Sequence, residues 1–447
     1  MSLVFYGWWS PPYILLIILS SLFDYFAGER IHVSSSPRTR TVWLVGSLVC
    51  NLGLLGVFKY GPFLMENASV FGDLFGIEGG EAITGWIIPV GISFYTFQSM
   101  SYSIDIYRRR LEPAESFRDY FLFVSFFPQL VAGPIIRARE FLPQINKRRP
   151  LRAPVLHSGL YFIVWGMFMK IVVADNLATV VDQVFDIKTL ADASPAQAWV
   201  GVVCFSAQIF ADFAGYSSIA IGLAYLMGLR FPKNFLYPYI SAGFSEFWSR
   251  WHITLSQWLR DYLYISLGGN RKGKRRVYFN LMITMLLGGL WHGASWTFVA
   301  WGGVHGLALC VERLIVGNKK QQVHRFERDG PITLGRALGK IRSMVVVFVV
   351  VQIAWVFFRA ESFKMAWIFL KKMFVCPFTE SFFGGAIDAQ YLLLLIPVAF
   401  LHFGQLAEEW FGIKKKPYQR AILAGIMLFV LLVVERPDSH AFIYFQF

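Results

Sequence analysis

Charged residues are scarce in this sequence of 447 residues. They make up 16% of the chain, against a hydrophobic share of 56% and a mean hydropathy of +0.50. Soluble globular domains carry about 25% charged residues, so the composition excludes an ordinary soluble protein and predicts several membrane spans. The net charge of +14 could suggest a nucleic-acid partner. The basic residues, however, cluster between apolar segments, which is typical of loops facing an anionic cytoplasmic leaflet, and no nucleic-acid binding is expected.

Cysteine is also rare, and its placement excludes two further classes. The four cysteines, Cys50, Cys204, Cys310 and Cys376, are scattered and form no C-x-x-C or His/Cys metal spacing. The sequence therefore predicts neither disulfides nor a metal site. The first basic residue is Arg30, so the positive n-region of a cleavable signal peptide is missing. A Walker pattern is missing too, which argues against a nucleotide-hydrolysing enzyme.

The sequence is rich in long apolar segments. Eight of them approach or exceed the roughly 20 residues that a bilayer requires: 3–27, 41–64, 83–105, 155–175, 197–228, 343–358, 391–411 and 421–435. The loops between them alternate between basic and acidic, and the positive-inside rule places the basic ones in the cytoplasm. This pattern predicts one all-α, polytopic membrane domain over residues 1–447.

Two shorter segments are predicted to be re-entrant. Residues 119–136 lie between two basic loops, and a full crossing would export one of them. Pro128, Gly133 and Pro134 interrupt this segment, and broken backbone at membrane depth is tolerated only where protein covers it. Residues 277–311 also run from one basic loop to another, with too many glycines for a plain pair of helices.

The first of two prominent histidines is His252. The residues around it recur at spacings of 3, 4, 3 and 4, which predicts an apolar stripe on one helix: Trp248, Trp251, Leu255, Trp258 and Tyr262. His252 would lie beside the stripe. A titratable side chain at membrane depth is costly, so its default interpretation is functional. The alternative is an interfacial helix anchored by tryptophans, with His252 among the headgroups.

The second is His292, which lies between Gly289 and Gly293. Close helix packing through small residues explains the glycines but not the histidine, and a functional role is favoured. His305 has a similar glycine-rich setting and is a weaker candidate. Lys170 and Asp212 are charges within apolar segments, and such charges usually pair or line a cavity.

A basic run follows the His252 segment, from Gly268 to Arg276. It is a topology anchor, and it also suggests a site for an anionic group, because glycines allow close approach and Asn270, Arg271 and Lys272 supply donors.

These residues strongly resemble the membrane-bound O-acyltransferase (MBOAT) family, in its AlgI-like alginate O-acetylation branch. The resemblance covers nearly the whole chain in order. Its motifs include Phe5-Tyr-Gly-Trp-Trp9, Pro89-Val-Gly-Ile-Ser-Phe-Tyr-Thr-Phe-Gln98, Phe127-Pro-Gln-Leu-Val-Ala-Gly-Pro134, Arg250-Trp-His252, Trp258-Leu-Arg-Asp261 and Trp291-His-Gly293. Two departures are visible. Relatives usually carry another apolar segment before Phe5, and Ala214 and Ser218 replace a serine and an aspartate of the family motif.

The resemblance implies a ring of tilted helices around a thin centre with a cytoplasmic funnel. It also implies that His292 is the catalytic histidine and that His252 is the second polar catalytic position. The expected protein is an acetyltransferase subunit of a bacterial inner membrane. It would take an acetyl group from a cytoplasmic donor, acetyl-CoA, with no bound cofactor, and act with a periplasmic acetyltransferase partner and membrane lipid on an exported polysaccharide such as alginate.

His292 is expected to act as a general base or through a transient acyl-histidine. The candidates for donor binding are Arg250, Arg260, Asn270, Arg271, Trp248 and Trp291. Two alternatives stay open: D-alanyl or peptidoglycan acyl transfer by the same fold, and a transporter without chemistry.

Overall fold

The computed structural model describes residues 2–74, 88–145, 147, 150, 152–317, 333–374, 392–411, 417–434 and 442–443. Within these ranges the chain forms helices and turns, and no β-strand occurs among them. The chain is thus an all-α polytopic membrane protein, as its composition predicts. The ring of helices and the funnel stay predictions.

The chain divides into two compact units, and the prediction of one domain over residues 1–447 is not decided by this division. The first unit holds Met1–Leu156 and Leu223–Pro232. Its helices are α1 (Ser2–Trp9), α2 (Pro11–Val33), α3 (Pro37–Leu55), α4 (Gly61–Leu74), α5 (Ile92–Tyr107), α6 (Phe117–Ser125), α7 (Phe127–Leu130) and α8 (Ala138–Ile145). A π-helical turn, Gly56–Tyr60, joins α3 to α4. Helices α2, α3 and α5 pack against one another.

The first predicted apolar segment, 3–27, is divided between two helices. Helix α1 ends at Trp9 and α2 begins at Pro11 after an extended Ser10. Pro11 and Pro12 lack the backbone N–H that would continue the helical hydrogen bonds, whereas proline is well tolerated in the first turn of a new helix.

Residues 119–136 have the form expected of a re-entrant segment. Helices α6 and α7 contain 9 and 4 residues, which is far short of a bilayer crossing. The chain breaks at Phe126, one residue before α7, and again at Gly133, whose φ is +110°. Residues 128–138 are all buried in this unit, so protein covers the freed backbone groups, as the prediction requires.

The second unit holds His157–Gly222 and Lys233–Phe447. Its helices are α9 (Ala153–Met167) and α12 (Pro195–Leu226), which lie mainly in it, and α10 (Asp175–Val184), α11 (Ile187–Asp192), α13 (Phe244–Arg250), α14 (Ile253–Trp258), α15 (Lys274–His292), α16 (Trp296–Val316), α17 (Leu334–Arg359), α18 (Phe363–Phe374), α19 (Ile396–Phe411) and α20 (Pro417–Val433). Two π-helical turns, Phe168–Ala174 and Leu259–Tyr264, and a 3₁₀ turn, Pro238–Ile240, complete it.

Five helical stretches of the described ranges are long and apolar enough to cross a membrane: Pro37–Ser69, Ala153–Val184, Pro195–Leu226, Trp296–Val316 and Leu334–Arg359. Four of them confirm the predicted segments 41–64, 155–175, 197–228 and 343–358. The predicted segments 83–105 and 391–411 begin outside the described residues, and their described helices, α5 and α19, have 16 residues each. Helix α20 is an apolar helix of 17 residues at the predicted segment 421–435, whose last residue also lies outside the described ranges.

The prediction that residues 277–311 hold too many glycines for a plain pair of helices is wrong. They form a plain pair of helices, α15 and α16, which pack closely along their length. A Cβ on Gly289 would lie 2.2 Å from the Phe298 carbonyl oxygen, and one on Gly302 would lie 2.3 Å from the Met285 carbonyl oxygen. The glycines therefore bring the two helix backbones together; they do not break them.

Candidate functional site

His252 lies at a break between two short helices. The predicted continuous helix over 246–264 is wrong, because α13 ends at Arg250 and α14 begins at Ile253. His252 has a φ of +39°, a left-handed conformation that residues with a side chain rarely adopt. Its side chain is 0% exposed and packs 4.6 Å from the Phe213 ring, measured between centroids. The imidazole thus points into the protein, and the interpretation that places it among headgroups is not supported.

Asn234 fixes the orientation of the His252 ring. Its Oδ1 lies 3.2 Å from His252 Nδ1 and accepts hydrogen bonds from the backbone N–H and the hydroxyl of Thr254. Asn234 Nδ2 donates to Ser217 Oγ at 3.1 Å. Because Oδ1 is an acceptor, His252 Nδ1 carries the proton, and the lone pair of the neutral ring is on Nε2. Burial lowers the pKa of His252 to about 3, so the ring is neutral at physiological pH.

His292 is the last residue of α15, and it is 3% exposed. Its ring centroid lies 4.9 Å from Trp301, 5.0 Å from Trp291 and 5.4 Å from Phe358. Trp291 also lies 6.1 Å from His252. The structure therefore brings both predicted histidines into contact with one tryptophan, within one buried aromatic cluster.

His305 belongs to the same cluster, although its sequence signal is weaker. It is 0% exposed, stacks on Phe247 at 5.8 Å and meets Trp301 edge to face at 4.8 Å. Trp301 therefore contacts both His292 and His305. The four-residue spacing of Trp301 and His305 on a helix is the signal that places them on one face.

Two of the three arginines predicted to bind the donor already form ion pairs with carboxylates of the protein. Arg250 is buried and forms ion pairs with Glu246 at 2.7 Å and Glu409 at 3.2 Å. Arg260 pairs with its neighbour Asp261 at 2.7 Å. These carboxylates compete with any anionic ligand. Trp248 meets His305 at 5.0 Å, so its place is beside the histidines.

The loop before α15 presents its cations without such compensation. The Tyr264 hydroxyl donates to Asn270 Oδ1 at 2.6 Å, and Asn280 Nδ2 donates to the Gly269 carbonyl at 3.1 Å. Gly268 and Gly269 have positive φ, which glycine adopts without strain. Arg271 and Lys272 are exposed and form no ion pair with any described residue.

Lys170 and Asp212 pair with each other, as the sequence predicts for charges within apolar segments. Lys170 Nζ lies 2.8 Å from Asp212 and 2.7 Å from Asp175. The backbone N–H of Ile443 donates to Asp212 at 2.7 Å. This network holds α12 and the segment at 442–443 together, and its charges are compensated. Within the described ranges no three His, Cys, Asp or Glu side chains come together as metal ligands.

Comparison with known proteins agrees with the family resemblance of the sequence motifs. The model of the membrane-bound O-acyltransferase (MBOAT) family matches residues 114–328, which include His252, His292 and His305. A probable alginate O-acetylase AlgI of Pseudomonas aeruginosa is 41% identical over 375 residues, which are 83% of this chain and 68% of the relative.

Two further relatives have names that indicate other activities. A peptidoglycan O-acetyltransferase of Helicobacter pylori is 37% identical over 398 residues, covering 83% of this chain and 72% of the relative. A teichoic acid D-alanyltransferase of Streptococcus thermophilus is 28% identical over 257 residues, covering 55% of this chain and 60% of the relative. All three names describe the transfer of an acyl group, to alginate, peptidoglycan or teichoic acid.

Proposed function

The chain belongs to the membrane-bound O-acyltransferase family and is an O-acyltransferase, and from that premise we propose that it acetylates an exported polysaccharide, alginate. The acetyl donor is acetyl-CoA in the cytoplasm, and the protein resides in the inner membrane of a bacterium. The observation that carries the proposal is the convergence of His252 and His292 on Trp291 inside a buried cluster. A buried titratable pair is costly and calls for a functional explanation.

The chemistry is a transfer from a thioester to a hydroxyl. His292, unprotonated, takes the proton of the acceptor hydroxyl while the hydroxyl oxygen attacks the thioester carbonyl carbon. The C–S bond then breaks, and the imidazolium returns the proton to the leaving thiolate. His252, held neutral by burial and oriented by Asn234, positions the donor through Nε2. In the nucleophilic variant, His292 carries the acetyl group for one step.

The choice of alginate follows the degree of similarity. The relative named as an alginate O-acetylase is 41% identical, against 37% for the peptidoglycan enzyme and 28% for the D-alanyltransferase. Membership of an acyltransferase family also favours an enzyme over a transporter that catalyses no reaction. A periplasmic acetyltransferase partner, which receives the acetyl group on the outer side, completes the proposal.

Purified protein in vesicles, supplied with acetyl-CoA labelled in the acetyl group, tests this function. We expect label to appear in alginate oligosaccharides as an alkali-labile ester, and to do so faster when a periplasmic extract is present. Peptidoglycan fragments and teichoic acid serve as parallel acceptors. Preferential labelling of either parallel acceptor would replace alginate, and a failure to consume acetyl-CoA would refute the donor.

The loop before α15 is expected to hold the anionic part of the donor. Replacing both Arg271 and Lys272 by glutamine should raise the KM for acetyl-CoA roughly tenfold, because two charge-assisted contacts are lost. The KM of the wild-type protein should also rise with salt, since exposed charges are screened over about 8 Å at physiological ionic strength.

The matched control removes two cations elsewhere, in Lys371→Gln with Lys372→Gln, and should leave the KM unchanged. If the Arg271 and Lys272 variant inserts normally and keeps its KM, the basic run is only a topology anchor.

A further inference from the structure

Three buried N–H groups lie together beside His292 without hydrogen-bond acceptors. Among the described residues, nothing accepts from the Nε1 atoms of Trp248 and Trp301, and neither ring nitrogen of His305 has a partner. The Nε1 atoms of Trp251 and Trp355, which pack nearby, also lack an acceptor, but their rings do not contact His305. A buried polar group left unsatisfied costs about 1–3 kcal/mol, and such groups are few in native proteins. Their clustering at one place therefore calls for an explanation. We name Trp248, Trp301 and His305 the N–H cluster.

The N–H cluster packs next to His292. Trp301 and His305 lie one turn apart on α16, with ring centroids 4.8 Å apart. Trp248, from α13, lies 5.0 Å from His305 and 5.7 Å from Trp301. Trp301 in turn lies 4.9 Å from His292. These separations bring the rings within reach of one small group bound next to His292.

The donors of the N–H cluster outnumber its acceptors. An indole donates one hydrogen bond and accepts none, whereas a neutral imidazole donates one and accepts one. The cluster thus offers three donors and one acceptor, which suits a ligand oxygen with high electron density. A permanent anion would be costly among these aromatic rings. An oxygen that becomes negative only during a reaction is what such preorganised donors stabilise best.

We propose, resting on the proposed function, that Trp301 and His305 form the oxyanion hole of the acyl transfer, with Trp248 as the third donor. When the acceptor oxygen bonds to the thioester carbonyl carbon, the carbonyl π electrons move onto its oxygen. The N–H groups hold that oxyanion while His292 holds the hydroxyl proton. Collapse restores the C=O bond, expels the thiolate, and His292 returns its proton to the sulfur.

Variants that keep the ring and remove the N–H test the assignment. Trp301→Phe and His305→Phe should each lower kcat by about 10²–10³-fold, the usual loss for one oxyanion-hole donor. Binding of a thioether analogue of acetyl-CoA, which mimics the ground state, should change by less than about threefold, since the interaction strengthens only in the transition state. That binding also shows that each variant is folded. Trp410→Phe removes an Nε1–H that is likewise buried without an acceptor but lies on α19, outside the N–H cluster, so it is the matched control and should keep its kcat.

His305→Gln supplies the second arm, because its amide restores an N–H at the position. It should recover at least about tenfold in kcat over His305→Phe, which a purely structural role for the ring would not produce. A kcat within about twofold of wild type in Trp301→Phe and His305→Phe, with His292→Ala inactive, would overturn this inference alone. Activity in His292→Ala would instead overturn the proposed function.

Discussion

Replacement of His292 by alanine is expected to abolish detectable acetyl transfer. A positioned general base contributes about 10²–10⁴-fold to the rate. The two neighbouring imidazoles have other proposed roles, since His252 positions the donor and His305 donates to the oxyanion. The measurement is initial-rate transfer of labelled acetyl groups by purified protein, with the thermal unfolding of each variant recorded in the same detergent.

His402→Ala is the matched control for this experiment. His402 is also a buried histidine of the second unit, and its Nδ1 lies 2.7 Å from the Val398 carbonyl oxygen. Its removal opens a similar cavity away from the cluster and should leave the rate within about threefold of wild type. Near-normal transfer by a folded His292→Ala protein would remove His292 from the mechanism.

The helices that carry the site were partly predictable. The long apolar runs at 41–64, 155–175, 197–228 and 343–358 have one local cause, the burial of apolar side chains in lipid, and the structure has a helix at each of them. The break at Ser10 also has a local cause, the two prolines that follow it, although the segment 3–27 was predicted without it. Length and composition are local properties, so the sequence alone suffices for them.

The errors concern residues whose conformation depends on distant partners. The glycines of 277–311 resemble helix breakers in isolation, yet Gly289 and Gly302 stay helical because each faces the backbone of the other helix. The aromatic stripe through Trp251 predicts a continuous helix, yet the backbone turns at His252. There the Asn234 amide accepts two hydrogen bonds from Thr254 and orients the His252 ring, a tertiary contact that periodicity does not contain.

In the site, too, the local features were predictable and the contacts between distant residues were not. His252 and His292 were recognisable as costly side chains in an apolar chain, but their common neighbour Trp291 was not. Arg250 and Arg271 look equivalent in the sequence. In the structure, Arg250 is neutralised by Glu409, which is 159 positions away, whereas Arg271 is exposed. Which cations are available to a ligand is thus decided by folding.

Replacement of His252 by alanine should lower acetyl transfer by about 10²-fold, and His252→Gln should retain part of the activity. The Asn234 amide oxygen accepts from His252 Nδ1, so the ring contributes through hydrogen bonds and not through its charge. A glutamine amide can replace one such bond, whereas alanine replaces none. Asn234→Ala should give a smaller loss, about tenfold, because the ring remains but its tautomer and orientation are no longer fixed.

The pH profile distinguishes this role from proton transfer. Burial lowers the pKa of His252 to about 3, so the ring stays neutral throughout the range from about pH 5 to 8 and binds no proton as the pH falls through it. The profile of His252→Gln should therefore keep the shape of the wild-type profile at a lower height. Equal and complete loss in His252→Ala and His252→Gln, or a displaced acidic limb in the glutamine variant, would show that His252 transfers a proton. Full activity in both variants would mean that the His252 ring only packs against Phe213. Of the two histidines that contact Trp291, His292 alone would then be catalytic.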